Sequence, residues 1–325
     1  MKRRSSDFAK LWQYSVGFYG VWIAHIGRQM KLFDYIATNS MSLEELIIAS
    51  RLYPAAVRAW CSAAQSYRFI TVRNGKLHLK KQMRRMLIDK ESPHYLGGQF
   101  SYLALRSLGY AGFDQLFKFG KTRRSMSTLS AVEQATEWDH HAFISAVRRD
   151  KKLHRLLSEG CRVLDVGCGT GRMLTKIHAE YPRSSLVGLD PSARSVSIAG
   201  QITGDKAITL MKGSGESMRF ANEFEMVLLC ESLYAMKDKE TALLNCWRAL
   251  KDYGTIVIIE GLLPKSNICE TSSCLITAMQ LDFALQGHSF MKKEDIVLLL
   301  KKTFSKLQFK DLGGSVYLVT ATKKR

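Results

Sequence analysis

Proline is scarce in this chain, with five among 325 residues, and there is no internal repeat or low-complexity tract. Bulk disorder is therefore not expected. The seven cysteines are odd in number and scattered. That excludes a disulfide framework and points to a reducing, cytoplasmic setting. Cys269 and Cys274 lack metal-ligand spacing, so no zinc site is expected. Acidic residues are also few, 29 against 48 Lys and Arg. No cleavable signal peptide is visible, and the basic start Met1-Lys-Arg-Arg-Ser-Ser has only a faint transit-peptide character. Residues 11–27 are uncharged, but Gln13, Ser15, His25 and several glycines interrupt them. This stretch reads as a helix buried in protein, at a subunit interface, and no membrane span is expected.

What is present supports a sizeable core. Apolar residues make up 46% of a chain too long for one typical domain and comfortable for two. The division expected is 1–125 and 126–325.

The most informative stretch is Val163-Leu-Asp-Val-Gly-Cys-Gly-Thr-Gly171, followed by Asp190. It predicts a buried strand over 162–166 that runs into a glycine turn and then a helix. Glycines there let a ligand lie against bare backbone. A second strand, Leu186-Val-Gly-Leu189, brings Asp190 to the same sheet edge, where a carboxylate accepts hydrogen bonds from both hydroxyls of a ribose. The glycines are spaced D-x-G-x-G-x-G, unlike the G-x-G-x-x-G of a dinucleotide site. Asp165 at the lip of the strand would repel a pyrophosphate and suit a cofactor that carries an ammonium group.

This pattern resembles motif I of the class I S-adenosylmethionine-dependent methyltransferases, with Asp190 in the place of their ribose-binding acid. The resemblance runs on over roughly the last 165 residues. Lys212 to Phe220 stands where the family has G-D-A-E-x-L-P-F, which puts Ser214 in the place of the adenine-binding Asp. Met218 is left to apolar packing. Phe224 to Cys230 is expected as the fourth strand and Gly254 to Glu260 as the fifth. Phe309 to Thr322 is expected as the closing hairpin, with Gly313-Gly314 at its turn. The fold implied is α/β, a Rossmann-like sheet covered on both faces. S-adenosyl-L-methionine is the implied cofactor. The residues implied to hold it are Asp165, Gly167, Cys168, Gly169, Gly171, Asp190, Pro191, Gly213, Ser214, Cys230 and Glu231.

The front of the chain reads as helices followed by a hairpin. Ser42-Leu-Glu-Glu45 is a capping box, and Pro54 opens the next helix, whose apolar face is Val57, Trp60, Cys61 and Ala64. Asn74-Gly75 is a strong hairpin signal. Three helices with a two-stranded wing make a winged helix. Residues 1–125 hold 21 Lys and Arg against 7 Asp and Glu, and the rest hold 27 against 22. That basic excess is compatible with nucleic acid. A winged helix ahead of a methyltransferase domain resembles instead the dimerising small-molecule O-methyltransferases, which implies a homodimer.

In that family a His-Asp-Trp segment after the fourth strand carries the general base. Here the matching residues are Tyr234, Ala235 and Met236. Tyrosine is a poor base at neutral pH but orients a hydroxyl or a carbon nucleophile. The substitute base expected is His288, in the segment that caps the family's substrate pocket, with Asp282 one turn before it. His140 and His141 are a second choice. Met279, Phe283 and Phe290 predict an apolar, aromatic pocket for a small, flat methyl acceptor. Two rival expectations remain: methylation of nucleic acid, and a non-catalytic DNA-binding regulator that senses the cofactor.

Overall fold

The computed structural model describes residues 6–92, 94–120, 136–204, 207–264 and 271–324. The chain forms two compact units, Met1–Ala111 with Ser125–His141, and Gly112–Arg124 with Ala142–Arg325. The expected boundary at 125/126 lies outside the described residues, as does Cys269.

In the first unit a long helix, α1 (Ser6–Gln29), is followed by α2 (Leu32–Thr38), α3 (Leu43–Ser50) and α4 (Pro54–Ser66). Strands β1 (Ile70–Arg73) and β2 (Lys76–Leu79) come next, then α5 (Lys81–Leu87) and α6 (Gly97–Ser107). Ser42 and Glu45 form the expected capping box, each side chain meeting the other's backbone N–H. Pro54 occupies the first turn of α4, where its missing N–H is harmless. Asn74 and Gly75 both take positive φ, 50° and 72°, as a two-residue antiparallel hairpin requires. Met41 adds a bridge to Leu77, so the wing is tied to the loop before α3.

The core of this unit gathers Ile23, Leu32, Phe33, Leu46, Val57, Trp60 and Leu77. Gly27 is required there, because a Cβ would lie 2.4 Å from the Phe33 ring and 2.5 Å from Trp60. Beside it Arg28 donates to the carbonyls of Leu87 (2.9 Å) and Gly97 and to the hydroxyls of Ser101 and Tyr95. One guanidinium thus joins α1 to the start of α6.

The uncharged stretch 11–27 is helical, but within the single chain Leu11, Trp12, Tyr14, Phe18 and Tyr19 are exposed. Burial begins at Gly20, which packs against the Tyr67 ring. Upstream of that point α1 projects beyond its own core. No helix among the described residues is long and apolar enough to cross a membrane.

The second unit is a sheet in the order β5-β4-β3-β6-β7-β10-β9, with β8 beside β7. Its strands are β3 (Arg162–Val166), β4 (Ser185–Asp190), β5 (Ile208–Lys212), β6 (Phe224–Cys230), β7 (Leu250–Leu263), β8 (Met291–Lys292), β9 (Phe304–Gly313) and β10 (Val316–Lys323). Pairings from β5 through β7 are parallel, and β10 runs antiparallel to β7 and β9. Successive residues of β3 enter different cores, Val163 one cluster and Leu164 and Val166 another. Both faces are therefore covered, which explains the unalternated apolar runs.

Strand order reverses between β3 and β6. Such a switch point opens a crevice at the strands' carboxyl ends. The strands β3 and β6 have the expected limits, while β7 is longer than the expected 254–260. The closing turn falls on Gly314 and Ser315, one residue later than expected, because Gly313 still pairs with Val316. Cys274 is disulfide-bonded, a departure from the expectation that cysteines stay as thiols.

Candidate functional site

The loop after β3 is held by main-chain bonds across the switch point. The N–H groups of Gly167 and Cys168 both donate to the Leu189 carbonyl, at 2.7 and 3.1 Å. Gly167, Gly169 and Gly171 all have positive φ. At Gly167 the need is steric as well, since a Cβ would lie 2.6 Å from Ser232 Cβ. Ser232 in turn donates its hydroxyl to the Val166 carbonyl at 2.7 Å, so the ends of β3 and β6 are fastened together.

Two carboxylates stand at this edge. Asp190 accepts the Gly169 N–H at 3.0 Å and the Ser192 N–H at 2.8 Å, one on each oxygen. Asp165 is 1% exposed, and its Oδ1 has no hydrogen-bond partner. Burial, and then the charge of Asp190, raise the Asp165 carboxyl to about 7. Cys168 is a buried thiol whose ionisation is also pushed up by burial, so its contribution is size.

A cleft of about 690 Å³ opens at the switch point. Gly167, Asp190, Pro191, Ser214 and Glu231 line it, all five expected from the sequence. The other expected residues shape it from behind. Gly169 supplies the N–H to Asp190, and Gly171 starts the next helix close to Ala199. Gly213 lets its backbone pass Leu189, where a Cβ would come within 2.8 Å. Cys230 packs partly against the core, and Met218 is core.

Sequence reasoning missed Gly215, Glu216, Ser232, Lys237 and Asp238 in the lining, which Ala235 and Met236 also join. It also missed Glu260, the hub beneath them. Glu260 is wholly buried, and its Oε1 accepts the N–H groups of Ser232, Leu233 and Tyr234 at 3.1, 2.6 and 3.3 Å. Its Oε2 has no partner. Burial and the neighbouring Glu231 hold its carboxyl well above the usual range. The available signal was a carboxylate inside an apolar strand.

Tyr234 and His288, the two expected catalytic residues, come together. Their rings lie 5.6 Å apart, nearly perpendicular. Phe283 lies 4.8 Å from Tyr234, and Phe283 and Phe290 stack at 3.8 Å. Asp282 is buried, and its carboxylate accepts from Gln286 Nε2 at 3.2 Å. His140 and His141 belong to the first unit.

Residues 163–254 match a family model described as a methyltransferase domain. A malonyl-[acyl-carrier protein] O-methyltransferase of Anoxybacillus flavithermus is 25% identical over 30% of this chain and 37% of its own length. A ubiquinone/menaquinone biosynthesis C-methyltransferase of Syntrophotalea carbinolica is 29% identical over 32% of this chain and 45% of its own. The chain thus spans under half the length of these relatives. The crystal structure of human N-acetylserotonin methyltransferase in complex with SAM superposes with a TM-score of 0.79 over the whole of both chains. At 16% identity that likeness shows the fold.

Proposed function

We propose, from the premise that this chain carries a class I methyltransferase domain, that it moves a methyl group from S-adenosylmethionine to a small, flat acceptor. The observation that carries this reading is Asp165, a buried carboxylate with an unpartnered oxygen beneath the glycine turn. A group of that kind is stabilised by a cation, and an ammonium supplies one. The residues present fit the cofactor in other respects. Asp190 keeps lone pairs for hydroxyl donors, and Gly167 leaves room that a side chain would fill. Pro191 and Ser214 complete the wall, with Cys168, Gly169, Gly171, Gly213 and Cys230 as structural support. When bound, S-adenosylmethionine supplies a methyl already activated as an electrophile. The protein's part is to align the acceptor and exclude water.

The aromatic group around Tyr234 suits a planar acceptor, whose face stacks on rings. A homodimer is part of the same proposal. The exposed aromatic residues of α1 form an apolar surface that a second copy would cover, with the winged unit as the dimerising element. Neither rival, nucleic-acid methylation or a cofactor-sensing regulator, gains support from the site or from the activities of the relatives.

Calorimetry with S-adenosylhomocysteine tests the donor site. Binding lost in Asp165→Ala and Asp190→Ala is the expected result, and absence of binding to the native protein would sink the reading. Labelled S-adenosylmethionine with an extract of the source organism would then identify the acceptor.

A further inference from the structure

We propose that Glu231 takes the proton from the methyl acceptor, held for that task by its pairing with Glu260. This rests on the methyl-transfer reading above and assigns a base to it. No histidine lines the cleft among its described residues, and the carboxylates there are Asp190, Glu216, Glu231 and Asp238. Three of these have other work. Both oxygens of Asp190 are engaged by the glycine turn and Ser192. Asp238 caps the following helix, accepting from Thr241 on both oxygens, and those bonds lower its carboxyl. Glu216 is partly buried, but hydrogen bonds, including one from the Lys237 N–H at 3.0 Å, hold its carboxyl low. Such groups are too weakly basic to remove a hydroxyl proton.

Glu231 differs in each respect. It stands at the end of β6 with φ of 49°, a left-handed conformation uncommon outside glycine and asparagine. The structure holds it there from both sides. Its N–H donates to the Ile259 carbonyl at 2.8 Å, and its Oε1 accepts the Gly261 N–H at 3.0 Å. Between those two β7 residues lies Glu260, sealed from solvent, with Oε2 unpartnered. Burial and the charge of Glu231 raise the Glu260 carboxyl, so Glu260 keeps its proton while Glu231 ionises first. Of the two, only Glu231 lines the cleft. Burial raises its carboxyl to about 7, where a general base works best near neutral pH.

The acceptor implied is a phenolic or enolic hydroxyl, too weak an acid to ionise alone. Its O–H bond breaks as the proton moves to the Glu231 carboxylate. The oxygen pair forms the C–O bond, and the C–S bond breaks with its pair left on sulfur. The proton lost from oxygen balances the positive charge lost from sulfur, and Glu231 returns it to water when the product leaves. The titratable groups around Glu231 are Glu260 on β7, Tyr234 on the turn that follows, and His288 beside Tyr234. Lys237 is the cation of the cleft lining. Neither glutamate takes part in an ion pair among the described residues.

The test compares the full chain with Glu231→Gln, which keeps an oxygen for the Gly261 N–H. Carboxyl NMR of protein labelled with ¹³C-glutamate needs no acceptor. A resonance with a midpoint of about 7 that disappears in the variant is expected, and its absence from the native protein overturns the proposal. Transfer from labelled S-adenosylmethionine is then measured to 1-naphthol and to a nitrophenol, which ionises unaided in mildly alkaline buffer. The variant should lose about 100-fold or more with naphthol and little with the nitrophenol. Equal loss on both marks a structural role, and loss in His288→Gln alone moves the base there; either overturns the proposal. S-adenosylhomocysteine affinity separates the two levels. No binding to native protein sinks the methyl-transfer reading, whereas normal binding without the titration sinks only Glu231.

Discussion

Asp165 and Asp190 stand at the ends of adjacent parallel strands, and the second carboxylate opposes ionisation of the first. Asp190 has a backbone N–H on each oxygen, while Asp165 has an oxygen with none. One is thus built to stay charged, and the other becomes comfortably charged only beside a cation.

The pH dependence of Asp165 has a definite sign. Its carboxyl moves from the ordinary 3.8 to about 7 in the folded protein. The fold therefore prefers the protonated form. Its stabilisation is complete below about pH 4 and is lost as pH rises through about 7. Asp165→Asn should remove that loss, on the order of 2–4 kcal/mol in the ligand-free protein at pH 8. The same variant should bind S-adenosylhomocysteine at least about tenfold more weakly. Calorimetric melting at pH 4 and 8, with and without ligand, checks both halves. A variant that melts below the native protein at pH 8 contradicts the first.

Asp190→Ala should weaken binding further. It strands the N–H groups of Gly169 and Ser192 and removes a hydroxyl acceptor, so affinity should fall by about 100-fold or more. Titration calorimetry reads this directly, and a change under threefold would remove Asp190 from the site.

Two glycines of one turn should respond differently. Gly167→Ala meets Ser232 Cβ at 2.6 Å as well as an unfavourable φ, and should cost about 2–4 kcal/mol. Gly169 has positive φ but open space, so Gly169→Ala should cost only about 1 kcal/mol. Urea unfolding of the two variants is the measurement, and equal losses would mean that the Ser232 contact is unimportant.

Glu260→Gln keeps an oxygen for the three N–H groups of the turn and removes one ionisable group of the buried pair. Burial is what raises the Glu231 carboxyl, and Glu260 still holds its proton when Glu231 ionises, so the Glu231 midpoint should stay at about 7. The ¹³C-glutamate titration should show that midpoint unmoved and the later titration of Glu260 gone, and a midpoint displaced downward would mean that Glu260 is charged before Glu231.

The exposed stretch of α1 bears on assembly. Replacing Leu11 and Trp12 together with Glu should turn a dimer into monomers, while the melting of the first unit's core, which begins at Gly20, changes little. Light scattering with calorimetry distinguishes the outcomes. A native protein that is monomeric at high concentration would refute the dimer.

Much of the fold was legible because local rules and global packing agree in it. The strands Arg162–Val166 and Phe224–Cys230 were bounded by glycine, charge and turn residues, and they have the limits expected. The capping box at Ser42 and the Asn74-Gly75 hairpin are short-range devices that need no distant partner. Harder features depend on contacts far apart in sequence. Uncharged residues before Gly20 look the same whether a chain's own core covers them or nothing does. Glu260 sits inside an apolar strand, and nothing local says that its oxygen gathers three amides nearly thirty residues upstream. The aromatic group was only half visible, since Phe283 and Phe290 meet Tyr234 through the fold and not through spacing.

Glu260 grips the turn after β6 by main-chain N–H groups alone. Every residue type but proline carries such a group. The side chain at position 234 can therefore change without loosening the anchor beneath it. A histidine placed at Tyr234 would be delivered by the same clamp to the same spot. The sheet edge that meets the donor is fixed by glycines and cannot vary in that way. One edge of this crevice is thus constant by backbone geometry, and the other is interchangeable by the same means.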